Sequence, residues 1–302
     1  VNLLASSFDW KSGDEVLVSE KEHNSNLLPW QALARHGVSV KPVAFGDPDA
    51  LAKAISGRTR LVAMVQTSNL DGSSQDVRAL AKVAHERDVP FLVDAAQSVP
   101  HQEIDVRRID ADFLVCSGHK MLGPSGTGLL YGKSHWLARL TPGYVGGGTV
   151  KDASYDGAVF EDAPQKFEAG LQNYAGIHGL RAAMEYLLKV GRSKIHDHEV
   201  ALNGQLSEGL ASVEGLTILG PHWKERCGIT SFSIAGMDPH QVSLLLDQSA
   251  GIATRSGVHC VHAYCNARKI MGTTRASLYL YNTASEVSYF LDALTKVVGL
   301  AR

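Results

Sequence analysis

Residues 111–132, ADFLVCSGHKMLGPSGTGLLYG, join a short apolar run to a glycine-bracketed polar turn and a second apolar run. The run FLVC predicts a buried strand, and Lys120 follows it at the edge where a parallel sheet presents its ligand. Partial burial there favours the neutral amine, which forms Schiff bases with carbonyl compounds. Ser117 and His119 beside it suit a phosphate group, so the stretch predicts a pyridoxal phosphate site rather than an ordinary surface lysine.

Similar apolar, β-branched runs recur along the first half of the chain and alternate with helical patterns, most clearly at residues 76–88. This alternation predicts an α/β fold with a mostly parallel central sheet and helices on both faces. Ligands bind at the carboxyl ends of strands in that architecture. Polar residues do follow the runs: Glu22 and His23, Ser68 and Asn69, Asp94 and Gln97, Ser117 and His119.

The second half of the chain has a different pattern. Residues 143–165 are rich in glycine and acidic residues, which predicts a long functional loop or crossing. Long helical patterns follow, and then short strands alternate with two helices, which predicts a smaller α+β domain. We therefore expect a large ligand-binding domain over residues 1–170, and connecting helices with a small domain over 171–302.

Composition excludes several classes of protein. The 302 residues are 44% hydrophobic, enough to bury a substantial core, and 29 basic against 31 acidic residues leave no basic tract for nucleic acid or anionic lipid. No stretch approaches the roughly 20 apolar residues of a membrane helix, and the start lacks a basic segment before its apolar residues. We expect a cytoplasmic protein whose four scattered cysteines are reduced thiols.

A second part of the cofactor site is predicted in FLVDAAQSVPH, residues 91–101. Pyridoxal chemistry requires a carboxylate at the pyridinium nitrogen so that the ring can accept electrons. Asp94 at the end of a buried strand meets that requirement, and Gln97 is placed to reach the phenolic oxygen. An aspartate that caps the next helix is the alternative for Asp94 taken alone.

Residues 255–265, RSGVHCVHAYC, leave three interpretations open: a metal site, a buried structural thiol, or a nucleophile on a mobile loop. The four potential zinc ligands are His259, Cys260, His262 and Cys265. They lie within seven residues with no second cluster elsewhere, whereas structural zinc usually draws paired ligands from two separated arms. We therefore expect no metal.

Seven motifs together resemble the class V aminotransferase-like enzymes of fold type I, a pyridoxal phosphate-dependent family, and most closely its cysteine desulfurases of the Suf type, group II. The motifs occur in the family's order and cover essentially the whole chain: SEKEHNSNLLPW (19–30), TSNLDGS (67–73), VDAAQS (93–98), SGHKMLGPSGTG (117–128), FEAGLQN (167–173), RSGVHC (255–260) and RASLYLYNT (275–283). The resemblance implies conversion of L-cysteine to L-alanine, with the sulfur taken up as a persulfide.

The resemblance also implies a role for each matching residue. Lys120 would be the Schiff-base lysine, and the remaining cofactor ligands would be His23 stacked on the ring, Asp94 at the ring nitrogen, Gln97 at the phenolic oxygen, and Ser117 and His119 at the phosphate. Asn69 and Arg275 would bind the substrate carboxylate, with Arg255 nearby, and Cys260 would be the nucleophile. We expect Arg255, His259 or His262 to favour its thiolate form, and Cys265 to be a packing residue.

The chain departs from the family pattern in two places. Members carry an earlier segment with a Gly-Thr-Thr turn that grips the phosphate, whereas this sequence begins at Val1, after that turn. Many members also have Thr in place of Leu171, where it contributes to the phosphate site across a dimer. Gln172 is the substitute expected for that contact.

The implied partners are L-cysteine, a second copy of the chain, and a sulfur acceptor or iron–sulfur assembly protein. Selenocysteine lyase activity would use the same residues, and other reactions of the superfamily would not require Cys260. A catalytically impaired binding or scaffold subunit is the alternative from another class of protein.

Overall fold

The computed structural model describes residues 1–300, and its main feature is a six-stranded sheet in the order β2-β1-β3-β4-β5-β6. The first five strands are parallel and β6 runs antiparallel to β5, which confirms the predicted mostly parallel sheet. The strands are β1 (Glu15–Ser19), β2 (Ser39–Val43), β3 (Thr59–Val65), β4 (Phe91–Asp94), β5 (Phe113–Ser117) and β6 (Gly128–Gly132).

Helices cover both faces of this sheet, as the alternation of patterns predicts. Side chains alternate in direction along a strand, so Leu17 of β1 packs into one apolar core while Val16 and Val18 pack into another on the opposite face. The helices of this part of the chain are α1 (Asn2–Ser7), α2 (Leu28–Gln31), α3 (Pro48–Ala54), α4 (Val77–His85), α5 (Val106–Ile109) and α6 (Ser134–Arg139). Aspartates cap three of them at their N-termini: Asp47, Asp76 and Asp105.

Residues 143–165 differ from the predicted loop, because they contain a hairpin of β7 (Val150–Ser154) and β8 (Gly157–Phe160). Most residues of the hairpin are exposed, and Tyr155 at its tip is fully exposed. Exposure on both faces removes the apolar alternation by which a strand is recognised in sequence. Without that alternation, the sequence pattern predicts a loop where the structure has a hairpin.

The chain then passes through α7 (Tyr174–Val190) and α8 (Arg192–Ala211) into a second, antiparallel sheet in the order β11-β12-β10-β9. This sheet and its helices α8, α9 and α11 share an apolar core separate from those of the large sheet. The remaining elements are β9 (Leu216–Leu219), β10 (Ile229–Ile234), α9 (Pro239–Ala250), β11 (Arg255–Gly257), α10 (His262–Ala267), β12 (Thr273–Ser277) and α11 (Ala284–Leu300). The small α+β unit thus has the predicted composition, while the boundary at residue 170 stays a prediction.

None of the helices within the described residues combines the length and apolar character needed to cross a bilayer.

Candidate active site

A cavity of about 580 Å³ opens at the carboxyl ends of β3, β4 and β5. Its volume falls in the range typical of small-molecule sites. Nine of the ten predicted site residues line it: His23, Asn69, Asp94, Gln97, Ser117, His119, Lys120, Arg255 and Arg275. Cys260, the tenth, lies at the rim, where its sulfur contacts Arg255.

Lys120 lies in a short 3-10 turn, Gly118–Met121, that directly follows β5. The turn packs tightly against the following strand, because the Gly118 amide donates to the Thr127 carbonyl at 2.9 Å and a Cβ at Gly118 would lie 2.1 Å from Thr127 Oγ1. Burial lowers the pKa of the Lys120 amine, and the Asp94 charge partly opposes that effect. The amine has no hydrogen-bond partner within residues 1–300, so it is free to react.

Asp94 ends β4 on the floor of the cavity and accepts a hydrogen bond from the Ala96 amide at 2.9 Å. Burial raises the pKa of this carboxyl, while the Ala96 N–H and the Lys120 charge lower it. The pKa of the neighbouring Glu22 is also raised well above its ordinary value, first by burial and then by Asp94. A buried carboxyl on the floor of the cavity favours a cation beside it, such as a protonated ring nitrogen.

Glu22 was noted in the sequence only as a polar residue after a strand, and its place beside Asp94 was missed. Its carboxylate accepts from the amides of Ser19 and Val65 and from Asn26 Nδ2 at 2.8 Å. These bonds tie the end of β1 to the end of β3. The available signal is a polar residue shortly after a buried strand, and six other site residues carry it: His23, Asn69, Asp94, Gln97, Ser117 and His119.

His23 presents a neutral ring to the cavity. Its Nδ1 accepts from the Ser25 amide at 3.0 Å, which places the ring proton on Nε2. Burial, followed by the charges of Lys120, Arg255 and Arg275, lowers the pKa of His23 to about 4. A neutral, partly buried imidazole is suited to stacking on an aromatic ligand.

The side chains of Gln97, Ser117 and His119 line the cavity and make no hydrogen bond with any other group of residues 1–300. An amide, a hydroxyl and an imidazole are thus available to a ligand rich in oxygen atoms. Two buried polar atoms on the substrate side, Asn69 Oδ1 and Arg275 Nε, also lack a partner in the described structure. Together with the free Lys120 amine and the Asp94 carboxyl, this set of groups fits pyridoxal phosphate and an anionic substrate.

Arg255 and Arg275 face each other across β11 and β12. Like charges in directly opposed positions of a sheet destabilise it unless an anion lies between them. Burial, then the charge of Arg255, lowers the pKa of Arg275 to about 10, and its Nη1 donates to the Asn69 carbonyl at 2.9 Å. The pair therefore forms an anion site at the mouth of the cavity.

Cys260 lies in a strained turn after β11. His259 and Cys260 have φ values of +53° and +61°, in the left-handed region that few non-glycine residues adopt. Arg255 Nη2 lies 3.1 Å from Cys260 Sγ, and the Asn24 amide donates to the Cys260 carbonyl at 2.8 Å. The turn thus holds the half-buried sulfur within hydrogen-bond distance of a guanidinium.

The two histidines of this segment face other partners. His259 Nε2 bonds Thr273 Oγ1 at 2.8 Å, and burial, followed by the charges of Arg275 and Arg255, lowers the pKa of His259 to about 4. His259 is therefore neutral at pH 7 and does not supply a cation to the sulfur. His262 Nδ1 contacts Asn24 Nδ2 at 3.0 Å, so Arg255 is the expected neighbour that reaches the thiol.

Cys265, the fourth potential zinc ligand, is fully buried in an apolar cluster with Leu70 and Val261, an environment that suits the packing role expected of it. Across residues 1–300, no three side chains of the metal-binding types converge. In the second departure from the family pattern, Leu171 is 92% exposed and Gln172 donates to the Gly170 carbonyl at 3.2 Å. Neither residue lines the cavity, and the cross-subunit contact stays a prediction.

Comparison with known proteins places these features in a family. Residues 1–290 match the family model described as Aminotransferase class-V. A protein of Methanothermobacter thermautotrophicus named probable cysteine desulfurase is 40% identical over 309 residues, and the match covers 99% of this chain and 77% of that protein.

Solved structures agree with this match. The cysteine desulfurase CsdA of Escherichia coli has a TM-score of 0.95 at 33% identity, and a cysteine desulfurase of Thermococcus onnurineus has a TM-score of 0.93 at 36% identity. Both matches cover 99% of this chain and 76% of the other. The chain therefore belongs to the pyridoxal phosphate-dependent class V aminotransferase family, in the branch whose curated members are named cysteine desulfurases.

Proposed function

We propose that this chain is a cysteine desulfurase that converts L-cysteine to L-alanine and keeps the sulfur as a persulfide on Cys260. The observation that carries the proposal is the arrangement at one cavity of a free buried amine, Lys120, a buried carboxyl, Asp94, and a thiol bonded to a guanidinium at the rim. An enzyme that only moved protons or amino groups would not need the thiol.

Each residue of the cavity then has a defined task toward pyridoxal phosphate. Lys120 would hold the cofactor at its carbonyl carbon until substrate takes its place, Asp94 would pair with the ring nitrogen, and His23 would stack on the ring face. Gln97 would bond the phenolic oxygen, and the phosphate ligands would be Ser117 and His119. When bound, this cofactor draws electrons from the substrate Cα.

The remaining residues act on the substrate. Asn69 and the opposed arginines Arg255 and Arg275 hold its carboxylate, and the Lys120 amine carries the Cα proton. The Cys260 thiolate attacks the substrate sulfur, so that a sulfur–sulfur bond forms as the Cβ–sulfur bond breaks. The electron pair of the broken bond stays with the substrate carbon, which takes up a proton and leaves as alanine.

The proposal extends to the surroundings of the reaction. The chain would act in the cytoplasm as a homodimer with its active sites near the subunit boundary. The Cys260 loop would then deliver the persulfide sulfur to an acceptor or iron–sulfur assembly protein. The strained backbone of the Cys260 turn and its position at the cavity rim support such delivery.

The test is a visible spectrum of the cofactor-loaded protein before and after L-cysteine, together with an assay for alanine. We expect a cofactor band, a spectral change on addition of L-cysteine, and alanine formation. Cys260→Ala should keep the band and lose alanine formation, whereas undiminished alanine formation by this variant would contradict sulfur transfer. Borohydride reduction and peptide mapping should find the cofactor on Lys120.

A further inference from the structure

The opposed arginines differ in how far their hydrogen-bonding capacity is used. Arg275 Nη1 donates to the Asn69 carbonyl, and Arg275 Nε is buried without a hydrogen-bond partner among residues 1–300. The side-on edge of that guanidinium is therefore open, and this edge is the one that binds both oxygens of a carboxylate. Arg255 lies directly opposite, and within residues 1–300 its side chain has one hydrogen-bond partner, the Cys260 sulfur at 3.1 Å.

Further hydrogen bonds hold the backbone of the turn that carries the Cys260 sulfur. The Asn24 amide binds the Cys260 carbonyl, and Asn69 Nδ2 donates to the His259 carbonyl at 2.6 Å. Asn69 thus contacts Arg275 through its main-chain carbonyl and the cysteine turn through its side-chain amide. The carboxylate site and the nucleophile share both Asn69 and the arginine pair.

The Cys260 sulfur already lies against one member of this pair, with Arg255 Nη2 at 3.1 Å, so a thiolate there would be the first anion on these arginines. A carboxylate on Arg275 would lie against Arg255 and would bring a second negative charge close to the sulfur. Two anions that share one guanidinium weaken each other, because each reduces the positive charge available to the other.

We propose that Arg255 is an exchange point that holds the Cys260 thiolate in the free enzyme and turns to the substrate carboxylate on binding, so that substrate itself releases the nucleophile. The inference rests on the proposed function and assigns to Arg255 a second task beside carboxylate binding. It makes the sulfur mobile only when a substrate is present to receive its attack.

Reciprocity makes the inference measurable. If carboxylate binding weakens the hold on the thiolate, then the thiolate weakens carboxylate binding by the same factor. Removal of the thiolate should therefore tighten the binding of L-alanine, a ligand with the substrate's carboxylate and no thiol. We expect the dissociation constant of L-alanine to fall about tenfold, within the usual range for coupled sites.

The experiment measures the dissociation constant of L-alanine from the absorption change of the cofactor-loaded protein. The variants are Cys260→Ala and Cys260→Ser, each alone and combined with Arg255→Gln, and Cys265→Ala is the control for loss of a thiol in the same segment. Arg255 is exposed, so its replacement leaves the core intact. We expect both Cys260 variants to bind L-alanine more tightly, a gain below twofold once Arg255 is replaced, and no gain for Cys265→Ala.

Three results would overturn the inference. The first is no gain in L-alanine affinity for either Cys260 variant, and the second is a gain for Cys260→Ala but not for Cys260→Ser. The third is a gain in affinity that persists when Arg255→Gln is combined with the Cys260 variants. The second result would show that space rather than charge limits binding, because serine keeps the bulk and loses the charge. Failure of the proposed function is separate, since it would appear as wild-type protein that makes no alanine from L-cysteine.

Discussion

Arg275 is the residue whose replacement best tests carboxylate recognition. Its guanidinium is buried on β12 with one nitrogen bound to Asn69 and a second left without a partner in the described structure. Lysine would keep a point charge but lose the planar, two-point contact with a carboxylate. We expect Arg275→Lys to lower kcat/KM for L-cysteine on the order of a hundredfold, with an unchanged cofactor spectrum. Near-normal efficiency would contradict the role, and loss of the cofactor band would indicate a structural one.

His259 should make the stability of the fold depend on pH. Its pKa is lowered from 6.5 to about 4 in the folded state, so the unfolded chain binds the proton first as the pH falls. Stability is therefore complete above pH 6.5 and is lost as the pH falls toward 4. The shift corresponds to about 2 kcal/mol between pH 7 and pH 5. Urea unfolding of wild type and His259→Gln at both values should show a smaller loss in the variant, and equal losses would rule out this contribution.

At the level of elements, the joint between β5 and β6 sets the position of Lys120. A Cβ at Gly118 would collide with Thr127, including its backbone oxygen at 3.1 Å, so the turn and strand would have to separate. We expect Gly118→Ala to cost about 1–3 kcal/mol of stability and to weaken cofactor binding, because Ser117, His119 and Lys120 all lie in this joint.

The matched control for Gly118→Ala is Gly157→Ala at the start of β8, where a Cβ would meet no atom within 4 Å. Thermal unfolding and the intensity of the cofactor band after dialysis should change in the first variant and not in the second. Retention of the full band by Gly118→Ala would mean that the tight joint is not needed for the cofactor.

At the level of the whole molecule, the proposed homodimer has a structural test. Large apolar side chains are exposed along residues 144–177, among them Tyr144, Tyr155, Leu171 and Tyr174. Such groups commonly mark a surface that a partner covers. We expect Leu171→Asp to raise the dimer dissociation constant in sedimentation equilibrium. Met271→Asp is the control, because Met271 is 93% exposed against 92% for Leu171 but lies outside that segment. A wild-type monomer with full activity would refute the dimer.

The sequence by itself determined the parallel sheet, the strand–turn–lysine stretch and the polar residues at the strand ends. These features depend on neighbours in the chain, because the period of apolar residues and the glycines of a turn act over a few positions. Lys120 and Asp94 could be assigned to one cavity for the same reason, since strands of one sheet bring their carboxyl ends together.

Only the tertiary structure decided which groups touch at the rim of the cavity. The bond from Asn69 to the His259 carbonyl joins residues 190 positions apart, and the pairing of β11 with β12 sets Arg255 opposite Arg275. Burial also decided charge: it left His259 neutral and raised the pKa of Glu22, whereas both side chains would titrate normally in an exposed position. Contact and desolvation arise when distant segments pack together, and local sequence patterns carry no record of either.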